Sequence, residues 1–222
     1  IIIGKKVKIT MIDSMLSVLA PHYCYGCQNP PKLLCSKCNK YNRQNYNTSN
    51  KIEPVTKYNT IEVNYIDARA GGLKAVIDGY KFQREKSSYK ILARMLNDVF
   101  PVSKDEIITI IPTRTAHKRE RGYDHMKLIG KYYAKLSNAT FAEVIEGNRA
   151  YSQHKKNYKD RQNLSKNIFS VKNRINLNKD SPIILIDDIY TTGATIREGY
   201  EALKDAGFAN IKCRVIAYQA FS

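Results

Sequence analysis

Two adjacent carboxylates, Asp187 and Asp188, end a run of four apolar residues, Ile183 to Ile186, and lead into Ile189, Tyr190, Thr191, Thr192, Gly193, Ala194 and Thr195. Three of the four apolar residues are β-branched, as in a buried strand, and the Thr/Gly segment opens a helical pattern. Carboxylates at the carboxyl end of a strand can accept hydrogen bonds from vicinal hydroxyls such as those of a ribose. A turn around a helix N-terminus offers unpaired backbone N–H groups and the positive end of the helix dipole, and threonine hydroxyls add donors without charge. Diol and phosphate recognition side by side suit a phosphorylated sugar. Thr195 and Glu198 read as a capping box, Ile196, Tyr200 and Leu203 recur at helical spacing, and Gly207 ends the run. Neither G-x-G-x-x-G nor G-x-x-x-x-G-K-[ST] occurs, so the dinucleotide and P-loop signatures are both missing.

A second chemistry lies near the start of the chain. Cys24, Cys27, Cys35 and Cys38 form C-x2-C-x7-C-x2-C within fifteen residues that also hold Gly26, Pro30 and Pro31. Two such knuckles place four thiolates at the corners of a tetrahedron, which suits a closed structural Zn²⁺ site. The alternative, a pair of disulfides, belongs to an oxidising compartment. Cys213 lies in an apolar strand pattern and reads as a buried small hydrophobe.

A third group of residues is basic. Ile107 to Ile111 reads as another buried strand, and Pro112, Thr113 and Arg114 force a turn at its carboxyl end. Lys118, Arg119 and Arg121 follow beside Gly122, either as a mobile basic loop that closes over pyrophosphate or as a solvated connection. Residues 149–174 carry Arg149, Lys155, Lys156, Lys159, Arg161, Lys166, Lys172 and Arg174 against the single Asp160, with Tyr151 and Tyr158 interleaved. That combination fits single-stranded nucleic acid and equally an ordinary exposed loop. The chain as a whole has 37 basic and 20 acidic side chains, a formal charge of +17, so its ligands are expected to be anionic.

The elements that must position these groups are those of an α/β domain. Leu73, Val76, Ile77 and Tyr80, then Ile91, Leu92, Met95, Leu96 and Val99, then Met126, Ile129, Tyr133 and Leu136 mark three amphipathic helices. Residues 57–70 alternate like a strand or hairpin, and Ile211 to Tyr218 supplies a last strand. The basic tetrapeptide Lys81 to Arg84 reads as a turn between helices. With 222 residues and 43% hydrophobic content, the chain is long enough for one core domain, expected over 57–222, and a mini-domain over 15–45. The polar stretch 39–56 reads as the linker. No apolar run reaches the ~20 residues of a membrane span, and residues 1–20 lack a secretory pattern, so a cytoplasmic protein without membrane insertion is expected. The first residue is Ile; residues 1–10 are set aside as a tag or upstream translation, with Met11 the expected native start.

D-D-I-Y-T-T-G-A-T resembles the phosphoribosyl-pyrophosphate loop of type I phosphoribosyltransferases. The order of the four-cysteine knuckle, P-T-R-T…R-E-R-G-Y, then Gln153, Arg161 and Phe169, then that loop, is similar to the ComF/ComFC family of competence-associated proteins over residues 15–220. The resemblance implies a mostly parallel five-stranded sheet flanked by helices, with an N-terminal zinc ribbon. It implies binding of phosphoribosyl pyrophosphate with Mg²⁺ and a role in natural transformation, with single-stranded DNA and DNA-translocation proteins as possible partners. On this reading Thr113, Arg114 and Asp187 to Thr195 hold the ligand, and Asp187, Asp188, Arg119 and Arg121 are the catalytic candidates. The family commonly has R-G-F-N-Q where Arg121 to His125 read R-G-Y-D-H, which sets a negative charge in the expected pyrophosphate loop. The family's Asn three residues after the Arg of the Gln/Arg element falls on Leu164. Purine-salvage members of the superfamily place an Asp general base where this chain has Thr191, which cannot serve as a base at neutral pH.

Overall fold

The computed structural model of the chain describes residues 23–30, 32–39, 51–83, 85–147, 168–173 and 175–219. The chain divides into two compact units, Ile1–Lys40 and Tyr41–Ser222.

In the second unit the strands are β1 (Lys51–Ile52), β2 (Val63–Ala68), β3 (Ile107–Ile110), β4 (Thr140–Phe141), β5 (Ile145–Gly147), β6 (Phe169–Val171), β7 (Ile183–Tyr190) and β8 (Ile211–Tyr218). The helices are α1 (Gly71–Phe82), α2 (Tyr89–Val99), α3 (Thr115–Arg121), α4 (His125–Ser137) and α5 (Ala194–Asp205). The main sheet runs β1-β2-β8-β7-β3-β4, and its five strands from β2 to β4 are mutually parallel. The two-residue β1 is added antiparallel at the edge, with Lys51 opposite Asn64 and Ile52 opposite Val63. The hairpin expected within 57–70 thus has its first strand inside the stretch read as linker, because Ile52 is apolar enough to cover the sheet edge.

The central strands β3 and β7 read as near-continuous apolar runs because helices cover both faces. Side chains alternate between those faces. Leu185, Cys213 and Val215 share a face with Ile196 and Leu203 of α5 and with Val144 and Ile145. A Cβ on Gly199 of α5 would stand 3.1 Å from Leu185 Cδ2. On the opposite face Ile110 meets α4, where a Cβ on Gly130 would stand 2.8 Å from Ile110 Cγ2. The small hairpin of β5 and β6 packs on α5 and buries Phe169.

The chain leaves β3 toward β4 and leaves β7 toward β8, in opposite directions across the sheet. The carboxyl ends of β3 and β7 are therefore neighbours at a topological switch point, where open α/β sheets form a crevice.

The expected helices over Leu73–Tyr80 and Ile91–Val99 are present, while Leu136, which continues the Met126, Ile129, Tyr133 stripe, is exposed in the last turn of α4. The basic stretch before Gly122 is a helix, α3, and not a loop. Gly122 ends it at φ 78°, the left-handed conformation common after a helix. Among the described residues no helix is long and apolar enough to cross a membrane.

Candidate functional site

Four sulfurs organise the first unit. The Sγ atoms of Cys24, Cys27, Cys35 and Cys38 lie within 4.8 Å of one another, and none of the chain's cysteines is disulfide-bonded. Thiolates ~2.3 Å from one tetrahedral Zn²⁺ stand about 3.8 Å apart; Cys27 Sγ and Cys35 Sγ are 3.8 Å apart. Backbone N–H groups of Gly26 and Cys35 donate to Cys24 Sγ at 3.4 and 3.3 Å. Burial opposes ionisation of Cys24, but backbone donors from Cys27, Cys35 and Gly26 outweigh it and pull its thiol down to about 6. Cys38, hydrogen-bonded to Cys35 and Cys27, is pushed up to about 12. Four thiols this close form a complete thiolate set only around a cation, and the set fits a structural zinc ribbon. Gly26 is needed for the fold of the knuckle, since a Cβ there would stand 2.7 Å from Cys38 Sγ.

In the second unit the candidate residues gather at the carboxyl ends of β3 and β7. β7 continues through Asp187, Asp188, Ile189 and Tyr190, so the turn is only Thr191 to Gly193. Gly193 is the N-cap of α5 at φ 73°, and no side chain caps the helix. The expected Thr195–Glu198 capping box does not form, because the helix begins at Ala194 and puts Thr195 inside its first turn. Thr192 Oγ1 instead accepts from the Ala194 N–H at 3.4 Å. Thr191, Thr192 and Thr195 are exposed, as donors to an incoming anion should be. A Cβ on Gly193 would stand 2.6 Å from Tyr190 Cζ. The requirement for glycine comes from the left-handed backbone and from Tyr190 beneath the turn.

Strand alternation separates the two carboxylates. Asp187 follows Leu185 onto the α5 face, and its Oδ1 accepts from the Asp188 N–H at 2.9 Å. Asp188 follows Ile186 onto the other face, where Lys81 at the end of α1 and His125 at the start of α4 meet it. Lys81 Nζ is 2.8 Å and His125 Nε2 2.6 Å from the same oxygen, Asp188 Oδ2. Burial, then the charge of Asp188, push Asp187 up to about 8. Burial also opposes ionisation of Asp188, but the His125 hydrogen bond and the Lys81 charge overcome it and hold this carboxyl well below the usual range.

His125 is nearly buried. Its Nδ1 lies 3.1 Å from Arg121 Nη1 and 3.1 Å from Thr113 Oγ1. Arginine has only donors, so Nδ1 accepts and the ring hydrogen on Nε2 points at Asp188. Arg121 Nε donates to the backbone oxygen of Lys81 at 3.1 Å. Lys81, Asp188, His125 and Arg121 thus close a ring of contacts. Asp124 is not a stray charge: its side chain caps α4 through the Lys127 N–H, accepts from Thr113 Oγ1 at 2.9 Å and pairs with Lys118 at 2.5 Å. Burial raises its carboxyl, and Lys118, Lys127 and Thr113 together bring it below the usual range.

Of the residues expected at the site, Thr113, Arg121, Asp187, Asp188 and the turn 191–195 meet at this crevice. Arg114 and Arg119 are exposed on α3 and its N-cap and take no part in the ring. Gln153, Arg161 and the basic stretch 149–174, apart from residues 168–173, lie outside the described residues. Lys81 and His125 were missed by motif, yet each had a signal. Lys81 is four residues after Ile77 and His125 four before Ile129, so both sit on apolar helix faces where a polar group needs a partner.

The phosphoribosyl transferase domain family matches residues 133–220, which contain β7, α5 and β8 with the Asp187–Thr195 segment between them. Competence protein ComFC of Streptococcus pneumoniae is 26% identical over 140 residues, 63% of this chain and 60% of that protein. Competence protein F of Haemophilus influenzae is 26% identical over 203 residues, 85% of this chain and 87% of that protein. Competence protein ComFC of Bacillus subtilis is 26% identical over 202 residues, 88% of this chain and 77% of that protein. Over most of its length the chain is thus similar to the ComF family of competence proteins. Its second unit is a phosphoribosyltransferase-like α/β domain, and its four cysteines fit a zinc ribbon. Among solved structures, the allosteric regulatory enzyme of purine biosynthesis overlays with a TM-score of 0.40 at 19% identity, covering 57% of this chain and 25% of the other.

Proposed function

We propose that this ComF-like chain binds phosphoribosyl pyrophosphate with Mg²⁺ at the carboxyl ends of β3 and β7 and transfers the phosphoribosyl group to an acceptor during natural transformation, in the cytoplasm. The observation that carries the reading is the adjacency of an anion-holding turn, Thr191 to Thr195, and a carboxylate, Asp188, whose Oδ1 has no hydrogen-bond partner among the described residues while Oδ2 is doubly held. The N–H groups at the start of α5 and the three threonine hydroxyls take the 5-phosphate. Asp188 accepts from a ribose hydroxyl, and Arg121, with Arg114 and Arg119 at the rim, faces the pyrophosphate. The names of the matching relatives support the competence role.

Mg²⁺ when bound neutralises the leaving pyrophosphate. Asp187 keeps its proton to about pH 8 and Asp188 is already paired, so the two carboxyls do not form a cation site by themselves. Phosphate oxygens of the ligand must supply the rest of the coordination. Displacement at the anomeric carbon passes through an oxocarbenium-like state, and the residues contribute by positioning the sugar and balancing developing charge.

Thr191 favours a second reading. Without a carboxylate base in the turn, the site would sense the ligand while another surface binds single-stranded DNA or a translocation partner. Pyrophosphate release is the test, measured with phosphoribosyl pyrophosphate, Mg²⁺ and a panel of bases and single-stranded DNA, for wild type and Asp187→Asn/Asp188→Asn. Release by wild type alone supports transfer. Tight binding with no release under any condition supports the sensing role.

A further inference from the structure

We infer that Lys81 is a ligand-contacting residue of this site, its ammonium bridging Asp188 and the pyrophosphate of the bound sugar. The inference rests on the phosphoribosyl pyrophosphate reading above and extends it to a residue on α1. An ammonium group carries three donors. The Lys81 side chain is 15% exposed and gives one donor to Asp188 Oδ2 at 2.8 Å. None of the other described residues supplies an acceptor for the remaining two. A mostly buried ammonium with two unanswered donors is costly unless an anion completes its shell. The crevice at the ends of β3 and β7 is where that anion arrives.

The ring of contacts fixes where Lys81 can reach. Arg121 Nε is bonded to the Lys81 backbone oxygen, so the two cations are tethered side by side. His125 joins Arg121 to Asp188 and shares Oδ2 with Lys81, leaving Oδ1 turned to the sugar. Lys81 and Arg121 against the single charge of Asp188 leave the ring with an excess of positive charge. A ligand bearing both a ribose diol and an anhydride of two phosphates answers the free oxygen and the free donors at once. Ribose 5-phosphate answers only the first.

This difference separates a contact from a structural role. Calorimetric titration, with Mg²⁺ throughout, of phosphoribosyl pyrophosphate and of ribose 5-phosphate into the full chain is carried out for wild type, Lys81→Met and Lys81→Gln. Both variants are expected to lose at least tenfold in affinity for phosphoribosyl pyrophosphate while ribose 5-phosphate changes less than threefold. Retained ribose 5-phosphate binding is itself the evidence that a variant has folded. If wild type binds phosphoribosyl pyrophosphate and both variants bind it equally well, or both ligands lose equally, the assignment of Lys81 is overturned and the functional reading stands. If wild type does not bind phosphoribosyl pyrophosphate, the functional reading itself has failed.

Discussion

The two units of this chain are held together by opposite means. In the cysteine knuckle, only Cys24 is buried among the described residues 23–39, and order comes from four sulfurs and the backbone donors around them. In the α/β unit, order comes from two covered sheet faces, with Ile183, Ile184, Leu185 and Ile186 all fully buried along one strand. The described residues of the first offer too little apolar area to fold by burial alone, and their four sulfurs fit a stabilising metal site. The second is self-supporting, and it places its polar groups where the core ends, at Asp187 and Asp188.

The sharpest way to break this contrast is to remove the metal. One Zn²⁺ per chain is expected, and Cys24→Ser or a strong chelator should unfold the knuckle outright, because structural zinc contributes an apparent ~10–16 kcal/mol at neutral pH. The thermal transition of the α/β unit should survive either treatment, as followed by circular dichroism. Purified protein with no zinc and four accessible thiols would contradict the metal-site account. The converse perturbation is Leu185→Ala, which leaves a cavity between β7 and α5. A loss of about 2–5 kcal/mol is expected in urea unfolding of the α/β unit, with zinc content unchanged.

A smaller effect sharpens the comparison at the edge of the core. Asp187 is raised from 3.8 to about 8, so between those values the unfolded chain has released a proton that the folded chain keeps. Its contribution is full below pH ~4 and is lost as pH rises through the window, at most about 1.4 kcal/mol per pH unit. Asp188 works in the opposite sense: its contribution is present above the usual carboxylate range and is lost as the pH falls below it. Asp187→Asn should therefore match wild type near pH 4 and be the more stable protein at pH 8. A wild-type profile that does not fall between those values would contradict a protonated Asp187 in the folded chain.

Much of this architecture is legible in residue types. The runs Ile183–Ile186 and Ile211–Tyr218, the helical stripes from Leu73 and Leu92, and the four cysteines need only periodicity and spacing. What is hidden depends on tertiary partners. Asp124 reads as a misplaced charge until Lys118, Thr113 and the start of α4 surround it. Thr195 and Glu198 satisfy a capping rule, but the left-handed Gly193 starts the helix two residues too early for it. The basic stretch Thr115–Arg121 contains no apolar stripe to announce a helix, and only the glycine after it marks the end. Lys81 and His125 become site residues only because two helices from different parts of the chain end beside the same strand.

The central claim is that the turn from Thr191 to Thr195 holds the phosphate of a phosphoribosyl ligand. Its most direct test is calorimetric titration of phosphoribosyl pyrophosphate, with Mg²⁺, into wild type and Gly193→Val. Valine at φ 73° must both strain the backbone and press on Tyr190, which moves the N–H groups away from a common focus. Binding by wild type and none by Gly193→Val, with the thermal transition of the α/β unit retained, is the predicted result. Binding by Gly193→Val at wild-type affinity would mean that the phosphate is held elsewhere.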